Sequence, residues 1–296
     1  MTVTTLHDII GESASILEEK GVDSPLLSAQ VLACHALSLD RVGLITNRRR
    51  ELSADELGTI RELVRRRATG EPTAYILGQR EFFGLDFAVC PGILIPRPET
   101  EHIVEKVQEL FGPCDRFRFA DLGTGSGILA VTVAHLFQQA EGMALDLSPV
   151  AVACATQNAK RHGVDARLDI RPGDMCEPFA EPGSLDLVLS NPPYVTEAEY
   201  DQLDQEVAGF EPRTALVSGQ DGLDHLRQLL PHAAAALRDG GHLLVEIGWR
   251  QGQAAQKITS EYGRDFGSVE ILKDLSGHDR IIFATRTVCK KTTHQL

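Results

Sequence analysis

Apolar residues recur at helical spacing through the first seventy positions of the chain. Leu6, Ile9, Ile10, Ile16 and Leu17 fall on one helical face, and Gly21 follows as a stop. Ser24-Pro25 opens a second helix whose apolar face is Leu26, Leu27, Val31, Leu32 and Leu37. Ser53 precedes Ala54-Asp55-Glu56, an N-cap and acidic first turn, and Leu57, Ile60, Leu63 and Val64 carry the face on until Gly70. The pattern changes in "YILGQREFFGLDFAVCPGILIP" (75–96), where aromatic and β-branched residues around Gly84 predict a hairpin joining two halves of the molecule. From residue 116 short apolar runs alternate with helical ones: 116–122, 128–138, 142–147, 149–161, 166–170, 185–190 and 242–247. That alternation predicts an α/β domain with a parallel sheet covered by helices. The last stretch, "VEILKDLSGHDRIIFATR" (269–286), reads as two strands about Gly277 and hence an antiparallel pair at one edge.

Composition narrows the classes of function. The 296 residues carry 29 Lys and Arg against 42 Asp and Glu, a net charge of −13, which argues against holding nucleic acid by general charge attraction. Six cysteines (34, 90, 114, 154, 176 and 289) are scattered without a CxxC pair, and the ten histidines form no HExxH, so neither a disulfide frame nor a metal site is expected. The polar, acidic start is unlike a signal peptide, and no apolar run approaches a membrane span; a cytoplasmic protein is expected. Two arginine clusters, Arg48–Arg50 and Arg65–Arg67, are either a solvated face or a docking surface for an acidic partner.

"FADLGTGSGILAVTVA" (119–134) is strand, glycine turn and helix. Gly123, Gly125 and Gly127, with Thr124 and Ser126 between them, let backbone N–H groups and a helix N-terminus approach a ligand closely. Asp146, followed by Leu147, ends the next strand, where an acid can accept both ribose hydroxyl hydrogens. The spacing is GxGxG rather than the GxGxxG of dinucleotide sites, which disfavours an NAD(P) oxidoreductase. S-adenosylmethionine suits it better: its carboxylate meets the loop N–H groups, and Asp121 faces the ammonium side. Asp174 in "PGDMCEP" is either an adenine contact or a turn cap, and Met175 beside it can pack on the base.

"SNPPYV" (190–195) ends a strand-like run with an amide, two prolines and an aromatic ring. A proline-capped strand explains the prolines alone. In a doubly wound sheet this segment arrives in the ligand crevice, where the Asn191 side-chain oxygen and the Pro192 carbonyl form two aimed acceptors for an –NH₂ group. Tyr194 can stack on a flat amide or base. An amide nitrogen is a poor nucleophile, so acceptors that orient it and stabilise the charge it gains would assist attack on a sulfonium methyl.

NPPY together with GTGSG resembles the methyltransferases of planar nitrogens. "LIPRPETE" (94–101), "EPRTALVSGQDGLDHLR" (211–227) and "VEIGWRQG" (245–252) narrow the resemblance to the HemK/PrmC family, the N5-glutamine methyltransferases of class 1 peptide-chain release factors, over nearly the whole chain. The resemblance implies a Rossmann-like class I S-adenosylmethionine-dependent fold with a mostly parallel seven-stranded sheet. It implies a helical substrate-recognition domain over 1–75, a hairpin linker over 76–96, a methyltransferase domain over 97–288 and a tail over 289–296. Gly123, Thr124, Gly125, Ser126, Gly127, Asp146, Leu147, Asp174, Met175 and Asn191 are then the S-adenosylmethionine contacts. Asn191, Pro192, Pro193 and Tyr194 hold the glutamine of a GGQ loop, with Asn191, Pro192 and Tyr194 as the catalytic set and S-adenosylhomocysteine as the second product. Some family members carry an aromatic residue where this chain has Met175. Pro96-Arg97-Pro98 matches a family segment near the cofactor, without a chemical role for Arg97. A monomer with no nucleic-acid partner is expected. The rival reading is an adenine-N6 methyltransferase, disfavoured by the acidic charge and the lack of a segment to flip a base. A non-catalytic S-adenosylmethionine-binding protein would not need Asn191 and the glycines together.

Overall fold

The computed structural model describes residues 4–263 and 265–287. The expected 289–296 tail, with Cys289, lies outside the described residues. The chain divides into two compact units, one of 1–79 with 204–210 and one of 80–203 with 211–296.

The first unit is helical. α1 (Leu6–Glu19) and α4 (Ala54–Ala68) both begin with a capping box, Thr5 with Asp8 and Ser53 with Glu56, so the polar pattern fixes where each helix starts. α2 (Pro25–Leu37) packs on both, and Leu6, Ile9, Leu17, Leu32 and Ile60 are fully buried between them. Burying a side chain of this size stabilises the unit by roughly 1.5–3 kcal/mol each. Two helices have no apolar period to announce them: α3 (Arg41–Thr46), which buries none of its residues, and the short α5 (Thr73–Leu77).

The hairpin follows as β1 (Gln79–Phe82) and β2 (Leu85–Ala88), with positive φ at both Phe83 and Gly84 in its two-residue turn. α6 (Glu101–Leu110) leads into β3 (Arg118–Leu122), α7 (Ile128–Leu136), β4 (Glu141–Asp146), α8 (Pro149–Arg161), β5 (Leu168–Pro172) and β6 (Leu185–Ser190). Two single-turn helices, α9 (Glu197–Tyr200) and α10 (Gln205–Ala208), precede α11 (Asp224–Ala236), β7 (Leu237–Glu246), α12 (Gly252–Tyr262), β8 (Phe266–Lys273) and β9 (Asp279–Arg286). α11 contains Pro231, a residue that breaks the helical pattern in sequence, and the reading gave that stretch no element.

The seven-stranded sheet has the order β5-β4-β3-β6-β7-β9-β8, parallel except at β9 and β8, which form the expected antiparallel edge. Apolar side chains bury on both faces, which is why β3 and β6 read as continuous rather than alternating runs. The chain moves outward from β3 to β5 on one side and from β6 to β8 and β9 on the other. The switch point therefore lies between β3 and β6, where a ligand crevice is expected at the strands' carboxyl ends. Register aligns those ends: Leu145 pairs with Leu122, Leu122 with Ser190 and Ser190 with Val245. The next residues along each strand, Asp146, Gly123, Asn191 and Glu246, consequently leave the sheet in one row.

Candidate active site

A cavity of about 480 Å³ opens over this row. The glycine loop forms its floor. Gly123 and Thr124 donate their N–H groups to the Leu145 carbonyl at 2.9 Å each, which folds the loop back against β4. Gly123 has φ +70°, a left-handed conformation that favours glycine, and Met175 Cε lies 2.6 Å from where a Cβ would stand. Thr124 turns its hydroxyl inward and donates to Asp121 Oδ2 at 2.6 Å, and Ala130 N–H donates to the same oxygen at 3.1 Å. Asp121 is 1% exposed, and its other oxygen, Oδ1, has no hydrogen-bond partner.

A buried carboxylate oxygen without a partner is costly unless a ligand completes it. Asp121 lines the cavity, and an ammonium group there would supply the missing donor. Asp146 is placed as the sequence implied. Its Oδ2 accepts Gly125 N–H at 2.9 Å and its Oδ1 accepts Ser148 N–H at 2.8 Å, so the carboxylate is oriented before any ligand arrives and keeps lone pairs for hydroxyl donors. Burial pushes its pKa up. Leu147 is exposed, and it, Met175 and Gly173 also line the cavity. Asp174 is the turn cap its sequence allowed, its Oδ1 accepting the Cys176 N–H at 2.8 Å, and the residue also lines the cavity. An unpartnered acid and an aimed acid suit the ammonium and ribose of S-adenosylmethionine, whereas the N–H groups of Gly123, Thr124, Gly125 and Gly127 are taken by Leu145, Asp146 and Thr124 and, against expectation, are not open to its carboxylate.

Burial raises the Asp121 pKa to about 6, offset in part by the Thr124 and Ala130 hydrogen bonds. Because the folded value lies above the ordinary one near 3.8, this group's contribution to stability is full below that lower value and is lost as pH rises through about 6. Asp121→Asn should therefore raise the melting temperature of the ligand-free protein at about pH 7.5, while weakening S-adenosylmethionine by about tenfold through loss of a charged partner. In the parent protein affinity should fall as pH drops through about 6, when the carboxyl is neutralised. Calorimetry across that range tests this; an affinity independent of pH would remove Asp121 from the ammonium subsite.

Asn191 and Pro193 line the cavity, whereas Pro192 is buried behind them. The segment is held from three sides. Ser190 Oγ donates to the Leu122 carbonyl at 2.7 Å, joining the ends of β6 and β3. Val195 N–H donates to the Leu216 carbonyl and Ser218 N–H to the Val195 carbonyl, a one-pair bridge to "TALVS". Gln251 Nε2 donates to the Tyr194 carbonyl at 2.9 Å and to the Asp221 carbonyl at 3.2 Å. Gly222, at φ +74°, lies so close to the Tyr194 backbone that a Cβ would collide with it. The strings at 211–227 and 245–252 are thus buttresses of the NPPY turn. No hydrogen bond within the described residues engages Asn191 Oδ1 or the Pro192 carbonyl, which leaves both as acceptors.

Three expectations change. Gly127 does not line the cavity: it caps α7 and packs against Ala155 of α8, supporting the loop from behind. Tyr194 lies outside that cavity too, and its hydroxyl donates to Glu246 Oε1 at 3.2 Å. It lines a neighbouring hollow with Trp249 and Gln251. The Arg65–Arg67 cluster is no docking surface as a unit. Arg65 pairs with Glu62 and Arg66 with Glu71, while Arg67 is 4% exposed and pairs with Glu206 at 2.6 Å. Arg97, left without a role, lines the cavity and pairs at 2.6 Å with buried Glu211, which also accepts the Ile95 N–H at 2.9 Å. Thr100, Glu211 and Glu246 went unremarked as site residues; each is a buried polar residue inside a motif already singled out, which was the available signal.

Among the described residues no cluster of three or more His, Cys, Asp or Glu is placed to hold a metal ion, and no helix is long and apolar enough to cross a membrane. Residues 8–78 match the family model described as the PrmC N-terminal domain, and residues 100–208 that of the methyltransferase small domain. The chain is 46% identical to a protein of Nitratidesulfovibrio vulgaris named release factor glutamine methyltransferase, over 96% of each chain. It is 41% identical to one of the same name from Moorella thermoacetica, over 95% of this chain and 99% of that one. In fold it is similar to a methyltransferase from Pyrococcus furiosus, at TM-score 0.52 and 18% identity over 70% of this chain and 91% of that one. A 16S rRNA methyltransferase from T. thermophilus, solved with AdoMet and guanosine, gives TM-score 0.51 and 19% identity over 70% and 49%.

Proposed function

The chain belongs to the release factor glutamine methyltransferase family, and from that membership we propose that it methylates the side-chain amide nitrogen of the GGQ glutamine in class 1 release factors, using S-adenosylmethionine. S-adenosylmethionine, when bound, supplies a methyl group on an electrophilic sulfonium. The observation that supports the reading is Asn191 Oδ1 at the strand end, an acceptor on a cavity-lining residue that no described residue engages, with the unengaged Pro192 carbonyl next along the chain. Together they take both hydrogens of a primary amide, hold its nitrogen toward the cavity and stabilise the positive charge that nitrogen acquires. No general base is needed beforehand, since the amide is neutral and the methylated cationic nitrogen gives its proton to water, with S-adenosylhomocysteine as the leaving group. Pro193 and the Gln251 clamp keep the acceptors from relaxing away. The test is methyl transfer to a release factor carrying GGQ against one whose glutamine is replaced by alanine.

The protein acts in the cytoplasm as a monomer, without nucleic acid, and its helical unit recognises the body of the release factor. Support for the last point comes from α3, which leaves Val42 and Ile45 exposed (65% and 74%) and lines a hollow through Ile45, with Arg48 and Arg49. Deleting residues 1–75 is a poor test, because it strips Glu206 and the 204–210 segment of their partners Arg67 and Gly70. Ile45→Asp, at an exposed site, should lower kcat/KM on an intact release factor about tenfold and on a GGQ peptide less than about twofold, as loss of one apolar anchor would. Equal losses on both substrates, or none, would remove α3 from recognition.

A further inference from the structure

The end of β7 places a buried acid behind the Asn191 amide. Glu246 is 1% exposed, and two hydroxyls point at its carboxylate: Thr100 donates to Oε2 at 2.7 Å and Tyr194 to Oε1 at 3.2 Å. Arg280 and Glu99 are the charged groups that also act on it; burial pushes its pKa up, and Arg280 partly offsets this. Thr100 is itself fully buried. A hydroxyl has one hydrogen, and the Thr100 hydrogen is committed to the carboxylate. Its oxygen can only accept toward Asn191, 3.0 Å away. The Asn191 amide must therefore turn its –NH₂ to Thr100 and its oxygen away.

We infer that Glu246, acting through the Thr100 hydroxyl, is a positioning residue that fixes the Asn191 side-chain amide with its oxygen toward the substrate. The inference rests on the proposed glutamine methylation for its meaning, though the orientation belongs to the free protein. An asparagine amide is nearly symmetric in shape, and without a directing partner it can present either end. The wrong end would offer a donor to a substrate –NH₂, which is itself a donor. Donating into a chain that ends on a carboxylate also polarises the amide and strengthens its oxygen as an acceptor. The register that aligns Ser190 with Val245 is what makes Asn191 and Glu246 neighbours, and Thr100, just before α6, fills the gap between them.

Thr100→Val keeps the shape and removes the hydroxyl, and Thr100→Ser keeps the hydroxyl. With a GGQ-containing release factor as substrate, Thr100→Val should lower kcat about tenfold, the scale of one hydrogen bond realised in the transition state, with S-adenosylmethionine affinity little changed. Thr100→Ser should restore most of the rate. Because Thr100 acts through Asn191, adding Thr100→Val to Asn191→Ala should cost nothing further; additive losses would overturn the inference. A second readout needs no turnover. The Asn191 side-chain –NH₂ signal in an ¹⁵N spectrum, identified by its absence in Asn191→Ala, should shift and exchange faster with water in Thr100→Val but not in Thr100→Ser. An unchanged signal in Thr100→Val would also overturn the relay. Should the parent protein fail to methylate glutamine, the proposed function fails, and the spectrum still decides the orientation of the amide.

Discussion

Asn191→Ala should lower kcat for methylation of a release factor by roughly 10²-fold or more, the range for loss of one preorganised polar partner of a charge that develops in the transition state. The geometry explains why the loss falls on kcat. Asn191 Nδ2 donates one hydrogen to Thr100, and no described residue donates to the side-chain oxygen, which the proposed function assigns to the substrate –NH₂. That contact matters most when the attacking nitrogen becomes cationic, and alanine leaves it without a replacement. The glycine loop, Asp121 and Asp146, which we propose meet the cofactor, take none of their hydrogen bonds from Asn191. S-adenosylmethionine affinity should stay within a few-fold, and single-turnover kinetics at saturating cofactor should isolate the defect. A rate near that of the parent protein would dismiss Asn191 from the chemistry.

Asp146→Ala should weaken S-adenosylmethionine by about 1.5–3 kcal/mol, the scale of hydrogen bonds to a charged group. Two consequences combine in this variant. The ribose hydroxyls lose their acceptor, and the Gly125 N–H loses the carboxylate that holds the loop in its ligand-ready shape. A protein that must order its loop on binding has lower affinity than one already ordered. Calorimetry measures the total, and saturating cofactor should recover most of kcat, unlike Asn191→Ala. Unchanged affinity would mean that the ribose is held elsewhere.

Asp146, Gly123 and Asn191 were legible in the sequence as strand-end residues, whereas Glu246 in the same row was not. The apolar runs that become β3, β4 and β6 are buried on both faces and end on the residues that matter, so strand, turn and acid could be placed from pattern alone. The capping boxes of α1 and α4 were equally readable, because a cap is a local bargain between residues three apart. What escaped is non-local. Nothing near Arg67 in sequence announces Glu206, 139 residues away, so a buried arginine looked like part of a charged surface. Thr100 and Glu246 lie 146 residues apart, and the pairing of β6 with β7 in one register sets Asn191 beside them. The glycine loop gave a mixed lesson: its motif marks the ligand site as a whole, yet Gly127 serves helix packing. Sequence spacing does not say which glycine faces the ligand and which faces the next helix.

The central claim is that the aimed acceptors at Asn191 and Pro192 serve a glutamine amide. It is tested most directly by fragment mass spectrometry of a GGQ-containing release factor after incubation with the protein and S-adenosylmethionine. The expected result is a gain of one methyl group confined to the side chain of the GGQ glutamine, dependent on Asn191. A release factor left unmodified while adenine in a nucleic acid gains the methyl group, or a methyl group on another residue of the factor, would contradict it.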